Sequence, residues 1–242
     1  MLKEMKLRKS AAVIAALFTT VLSTSSVAAT NKAIDATNIH DTKIVSTIKT
    51  NASEQEAQRS KEKLMAKLAK IDFFSAEFSQ KIFDEAGIEL QQGSGQLSVS
   101  KPNLVNWQTI LPDESLIVSD GSNLWFYDPF VEQVSVYSLA NAIANTPILL
   151  ITSNDEKLWQ DYNVSQLSDN RYLISANNDN ARVKSLELTF AEDVNNVELS
   201  AFNILDVTGQ LSVITLSNHH EKPDTSLFTF TVPEGVYLDD QR

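Results

Sequence analysis

Short runs of alternating apolar and polar residues, each closed by turn residues, recur along most of this chain, and they limit its possible folds more than any other feature. In Phe74, Ala76, Phe78, Gln80 and Ile82 one side of the run is mostly apolar, while Ser75, Glu77, Ser79 and Lys81 fill the other. A period of two is the mark of a strand with one buried face. Gly87 signals a turn, and Gly93 and Gly95 punctuate a second strand ending at Leu97 and Val99. Further strands are predicted at Leu104 to Ile110, Ser115 to Ser119, Leu124 to Tyr127 and Gln133 to Tyr137. Their connections carry turn chemistry: Lys101-Pro102-Asn103, Pro112-Asp113, Asp120-Gly121-Ser122-Asn123 and Asp128-Pro129. Strands resume at Tyr162 to Leu167, Arg171 to Ala176, Val183 to Phe190, Val197 to Leu205 and Gln210 to Leu216, with a last short one at Phe228 to Phe230. Connections this short make an antiparallel meander of about eleven strands.

Two segments break the alternation. Ser53-Glu54-Gln55-Glu56 reads as a capping box, and Ala57, Leu64, Met65, Leu68 and Ile71 then follow at helical spacing. This predicts an amphipathic helix of about four to five turns, which needs an apolar surface to lie on. The second break is LANAIANTPILLI, where Thr146 can cap a helix with Pro147 in its first position. Two short helices are expected there, from Ser138 to Ala144 and from Pro147 to Thr152. The fold class is therefore α+β.

The N-terminus has its own logic. Lys3, Lys6, Arg8 and Lys9 precede an apolar run from Ala11 to Leu22, and a small polar stretch ends in Val27, Ala28 and Ala29. That order is a cleavable secretory signal over residues 1–29, cut after Ala29, with a cut after Ala28 as the alternative. A membrane anchor would need a run of about 20 apolar residues. Residues 30–52 are polar and aperiodic and read as a flexible leader; residues 53–242 form one domain. The chain carries −11, and the signal holds four cations and one anion, which leaves −14 on the rest. Such a charge opposes binding to nucleic acid or to anionic membrane surfaces. With no cysteine, an exported chain has no disulfide framework and no acylated N-terminal cysteine of its own.

Catalytic chemistry is not indicated. His40 lies in the leader, and His219 and His220 are adjacent, so on a strand they face opposite ways. There is no nucleophile elbow, phosphate loop, dinucleotide fingerprint or metal-ligand spacing. Asp113-Glu114 and Asp239-Asp240 read as surface charge. No catalytic residue, metal site or cofactor is expected. Aromatic residues stand out instead: Trp107, Trp125, Phe126, Tyr127, Phe130 and Trp159 lie on or beside strands. A curved sheet with an apolar concave face, partly covered by short helices, encloses a lined hollow suited to a greasy ligand.

Several blocks, in order, make the pattern specific. FFSAEFSQK (73–81), GSGQL (93–97), KPNLVNWQ (101–108), PDESLIVSDGSNLWFYDPFVEQV (112–134), NTPILLI (145–151) and VPEGVYLDDQ (232–241) resemble the periplasmic outer-membrane lipoprotein carriers, the LolA-type chaperones. The resemblance implies an incomplete antiparallel β-barrel with a lid of three short helices over a hydrophobic cavity. It also implies a periplasmic, monomeric carrier that is not an enzyme. Such a carrier takes a triacylated lipoprotein from an inner-membrane ABC-type release complex and passes it to an outer-membrane receptor. In that family an arginine before the Pro-Asn-Leu of the third strand latches the lid. Here the position is Lys101, and the lid partners align with Leu68, Ile151 and Thr152. Lysine keeps the charge but lacks the planar fork of donors. Candidates for the acyl-chain cavity are Phe74, Phe78, Leu97, Trp107, Leu116, Val118, Trp125, Leu139, Ile143 and Leu149, with Ile151 beside them. Two other readings share parts of the pattern: an envelope lipid-binding protein or sensor of mislocalised lipoproteins of the same shape, and an exported hydrolase.

Overall fold

The computed structural model describes residues 40–142, 147–153, 155–178, 181–191, 196–220 and 222–242. The predicted signal peptide and residues 30–39 of the leader lie outside them, as does Ile143. A long helix, α1 (His40–Leu68), leads into six strands: β1 (Phe73–Phe83), β2 (Glu89–Ser100), β3 (Leu104–Leu111), β4 (Ser115–Asp120), β5 (Asn123–Asp128) and β6 (Gln133–Ser138). Two short helices follow, α2 (Leu139–Ala142) and α3 (Pro147–Thr152), then a 3-10 turn at Glu156–Asp161. The chain returns through β7 (Tyr162–Ser168), β8 (Arg171–Ala176), β9 (Val183–Phe190), β10 (Leu199–Asp206) and β11 (Leu211–His220). A second 3-10 turn at Thr225–Phe228 and a short β12 (Tyr237–Asp240) complete it.

The twelve strands form one sheet in the order β12-β6-β5-β4-β3-β2-β1-β11-β10-β9-β8-β7. Every neighbouring pair is antiparallel except β12 and β6, which run parallel from Tyr237↔Gln133 to Asp240↔Val136. β7 and β12 stand at the two ends of the order, so the sheet is an open, incomplete barrel with a few helices. Turns follow the local sequence. At the β1–β2 hairpin the Asp84 carboxylate accepts from the N–H groups of Ala86 and Ile88 at 3.0 and 2.8 Å. Gly87 sits there at φ 79°, a conformation glycine adopts without strain.

Register sorts the side chains by face. Trp107 pairs with Leu97 on one side and Ile117 on the other, and Phe78 pairs with Leu216, so these share a face. On that face lie one continuous core and the helices: Leu64 and Leu68 of α1, Leu139 of α2, and Ile148 to Ile151 of α3. Gly95 makes room for it. A Cβ there would lie 1.9 Å from the Gln108 carbonyl oxygen and 2.9 Å from Phe78 Cε1. The missing side chain lets the Phe78 ring lie over the strand.

Three expectations change. α1 begins at His40, upstream of the Ser53 box. Residues 40–52 contain neither glycine nor proline, so nothing in them stops the helix. α1 is therefore long, where three short helices were expected. Phe228 to Phe230 is no strand: the Asp224 carboxylate caps a 3-10 turn by accepting from Ser226 N–H at 2.8 Å. The last strand is β12 instead, and the sheet has twelve strands where about eleven were expected. Trp159 lies beside β7, in the 3-10 turn that leads into it.

Candidate functional site

The inner face of the sheet and the turn that ties helices to it form the candidate site. Phe78, Leu97, Trp107, Leu139, Leu149 and Ile151 are all buried in the shared core, and Phe74 packs half-buried against it. The Trp107 indole stands edge-on to two rings, Phe78 at 5.3 Å and Phe202 at 5.7 Å between centroids. Phe202, Tyr172, Leu188 and Ile214 carry the same face onto the second half of the sheet. Alternation could have placed these residues individually; only the pairing of β1 with β11 shows that they join the face around Trp107.

Leu116, Val118 and Trp125 do not join this site. Ile117 pairs with Trp107 and Phe126, so its neighbours Leu116 and Val118 point the other way, and Trp125 pairs with Val118. Residues 116–118 and 124–127 are apolar on both faces because the C-terminal segment covers the outer one. Phe230 packs on Trp125 and Tyr127 at 5.5 and 6.0 Å, and Asn106 Nδ2 donates to the Leu227 carbonyl at 2.7 Å. Trp125 Nε1 donates to Asp120 Oδ2 at 2.8 Å. Burial pushes the Asp120 carboxyl up, but hydrogen bonds from Trp125, Asn123 and Ser122 together hold it below the usual range.

The tie is built on the three-residue turn between β2 and β3. A helix ends with carbonyls that lack an intrahelical donor, and with a negative dipole end. Lys101 Nζ donates to the carbonyl of Leu68, the last residue of α1, at 2.6 Å. The Lys101 N–H donates to the Asp72 carbonyl at 2.8 Å. Burial lowers the Lys101 pKa, and the Asp72 charge opposes that shift. On the other side the Asn103 N–H donates to the Thr152 carbonyl at the end of α3, at 3.2 Å. Thr152 is fully buried, and its hydroxyl donates to the Leu149 carbonyl at 2.9 Å. One turn thus holds the C-terminal ends of two helices. The lysine side chain reaches only α1; a backbone N–H serves α3, and Ile151 lies in the core. Sequence reasoning missed Asn103 and Asp72, because their hydrogen bonds here run through backbone groups that carry no residue signature.

Among the described residues no group of three or more His, Cys, Asp or Glu could hold a metal ion. No helix among them is long and apolar enough to cross a membrane.

Sheet and cover together define a class: an open β-barrel whose apolar inner face is covered by helices. Residues 69–231 match the family described as "Outer membrane lipoprotein carrier protein LolA". The outer-membrane lipoprotein carrier protein of Aeromonas salmonicida is 44% identical over 193 residues, covering 79% of this chain and 94% of its own. That of Photorhabdus laumondii is 42% identical over 180 residues, covering 74% and 87%. Among solved structures, a LolA superfamily protein from Nitrosomonas europaea is 16% identical with a TM-score of 0.44, covering 72% of this chain and 98% of its own. The chain belongs to the LolA family of outer-membrane lipoprotein carrier proteins.

Proposed function

We propose that this protein is a periplasmic chaperone that carries acylated lipoproteins, holding their acyl chains between the inner face of the sheet and its helical cover. The observation that carries this reading is the match of residues 69–231 to the carrier family. The physics agrees. Each methylene removed from water is worth about 0.8 kcal/mol, so acyl chains in transit need an apolar enclosure. Side chains of α1, α2 and α3 occupy the inner face here, and cargo would displace them. Lys101, with Leu68, Ile151 and Thr152 as the helix segments it faces, is the latch in this reading. A lysine holding one carbonyl makes a weaker clasp than an arginine fork, and so favours loading.

The same proposal includes export by a signal peptide at residues 1–29. It includes receipt of cargo from an inner-membrane ATP-driven release complex and delivery to an outer-membrane receptor. No step makes or breaks a covalent bond, so the protein acts as a carrier and not an enzyme. Purification of the native protein from the periplasm, followed by mass spectrometry, tests this. An intact triacylated protein bound to it is the expected result. Free lipid alone would point to a lipid-binding protein of the same shape, and would overturn the carrier reading.

A further inference from the structure

Three tryptophans allow an internal comparison. Trp125, on the outer face, donates its indole N–H to Asp120 at 2.8 Å. Trp107 and Trp159, both buried in the core on the inner face, have no acceptor for theirs among the described residues. The Thr109 hydroxyl, buried on the same face of β3 two residues beyond Trp107, is also without a partner. The rings of Phe78 and Phe202 offer Trp107 only π faces, which are weak acceptors. A core built for packing alone would place phenylalanine and valine at these positions, since a buried donor without an acceptor is costly. Gln80, a buried amide on the neighbouring part of the inner face, adds to its polar character.

Acylated cargo has the complementary feature. Each acyl chain begins at an ester or amide carbonyl, an acceptor that loses water when the chain is enclosed. We infer that the Trp107 indole N–H and the Thr109 hydroxyl form a polar seat for the acyl carbonyl oxygens of the cargo. This inference rests on the carrier reading and deepens it. The seat distinguishes acyl groups from plain hydrocarbon, and its donors are satisfied only when cargo is bound. Closed and loaded forms are thereby brought nearer in energy, which a carrier that must both load and release requires.

The test uses two probes of equal chain length, neither with an N-acyl chain: a cysteine lipopeptide with two ester-linked chains, and an analogue in which ethers replace both ester links. Wild-type protein should bind the ester probe about tenfold more tightly, the worth of one buried hydrogen bond. Trp107→Phe should lose that preference and bind the two probes alike. Thr109→Val should reduce the preference by about threefold. In the wild-type protein the Trp107 indole N–H proton resonance should move downfield with the ester probe only. Equal binding of both probes by the wild type, or a preference unchanged in Trp107→Phe, would overturn the seat while leaving the carrier reading intact. A wild-type protein that binds neither probe would overturn both. If Trp107→Phe does not fold, the wild-type resonance decides: no downfield shift means no seat.

Discussion

At the scale of single residues, the proposed latch rests on Lys101. Its ammonium meets the end of α1 at 2.6 Å, where the helix dipole favours a cation and the Leu68 carbonyl, which also accepts from the Ile71 N–H at 3.0 Å, offers its second lone pair. The site is half-buried, and burial lowers the lysine pKa while the Asp72 charge opposes that shift. Replacing Lys101 with Leu should weaken closure by about 1 kcal/mol, a roughly fivefold shift toward the open form. Replacing it with Arg should tighten closure, because the guanidinium fork can reach a second carbonyl. Hydrogen exchange at the last turn of α1 reads both effects: faster in Lys101→Leu, slower in Lys101→Arg. Cargo loading should follow the same order, easiest for the leucine variant. Equal exchange and equal loading in all three proteins would remove the latch. The residue itself was recognisable from the KPNLVNWQ block, but its geometry was not. That the α3 end is served by the Asn103 N–H depends on where the backbone of α3 comes to rest, which no side chain announces.

At the scale of elements, the strands were legible because alternation and turn chemistry are local. β1 to β11 fall close to their predicted positions for that reason. The faces of β4 and β5 were not legible. Leu116-Ile117-Val118 and Leu124 to Tyr127 are apolar throughout, so no alternation distinguishes inside from outside. Only the packing of Phe230 on Trp125 shows that the outer face has its own cover. β12 was missed for a related reason: its parallel pairing with β6 joins segments about a hundred residues apart, by a ladder that leaves no local pattern. Gly93 and Gly95 were read as punctuation, but Gly95 is a packing residue. Its Cβ would collide with the Gln108 carbonyl and crowd Phe78. Gly95→Ala should cost about 3 kcal/mol, measured by denaturant unfolding. Gly87→Ala, which meets open space and only the strain of a positive φ, should cost about 1 kcal/mol. Equal costs would contradict the role given to Gly95.

At the scale of the whole molecule, the account is a competition for one apolar surface. The inner face, from Val164 of β7 across Phe202 and Trp107 to Leu124 of β5, is covered by the protein's own helices. In the proposed carrier cycle, acyl chains take their place by burying comparable area, and the turn at Lys101 is proposed to bias the exchange. The outer face of β4 and β5 is assigned no part in this proposal, since Trp125 and Tyr127 there already pack under Phe230. This division is the central claim, and site-specific photo-crosslinking tests it directly. A photoreactive residue at Leu149, on the inner face, and another at Val118, on the outer face, are compared in cells making an acylated lipoprotein. The account predicts a crosslinked lipoprotein adduct from position 149 and none from position 118. An adduct from position 118 alone, or equal adducts from both, would contradict it.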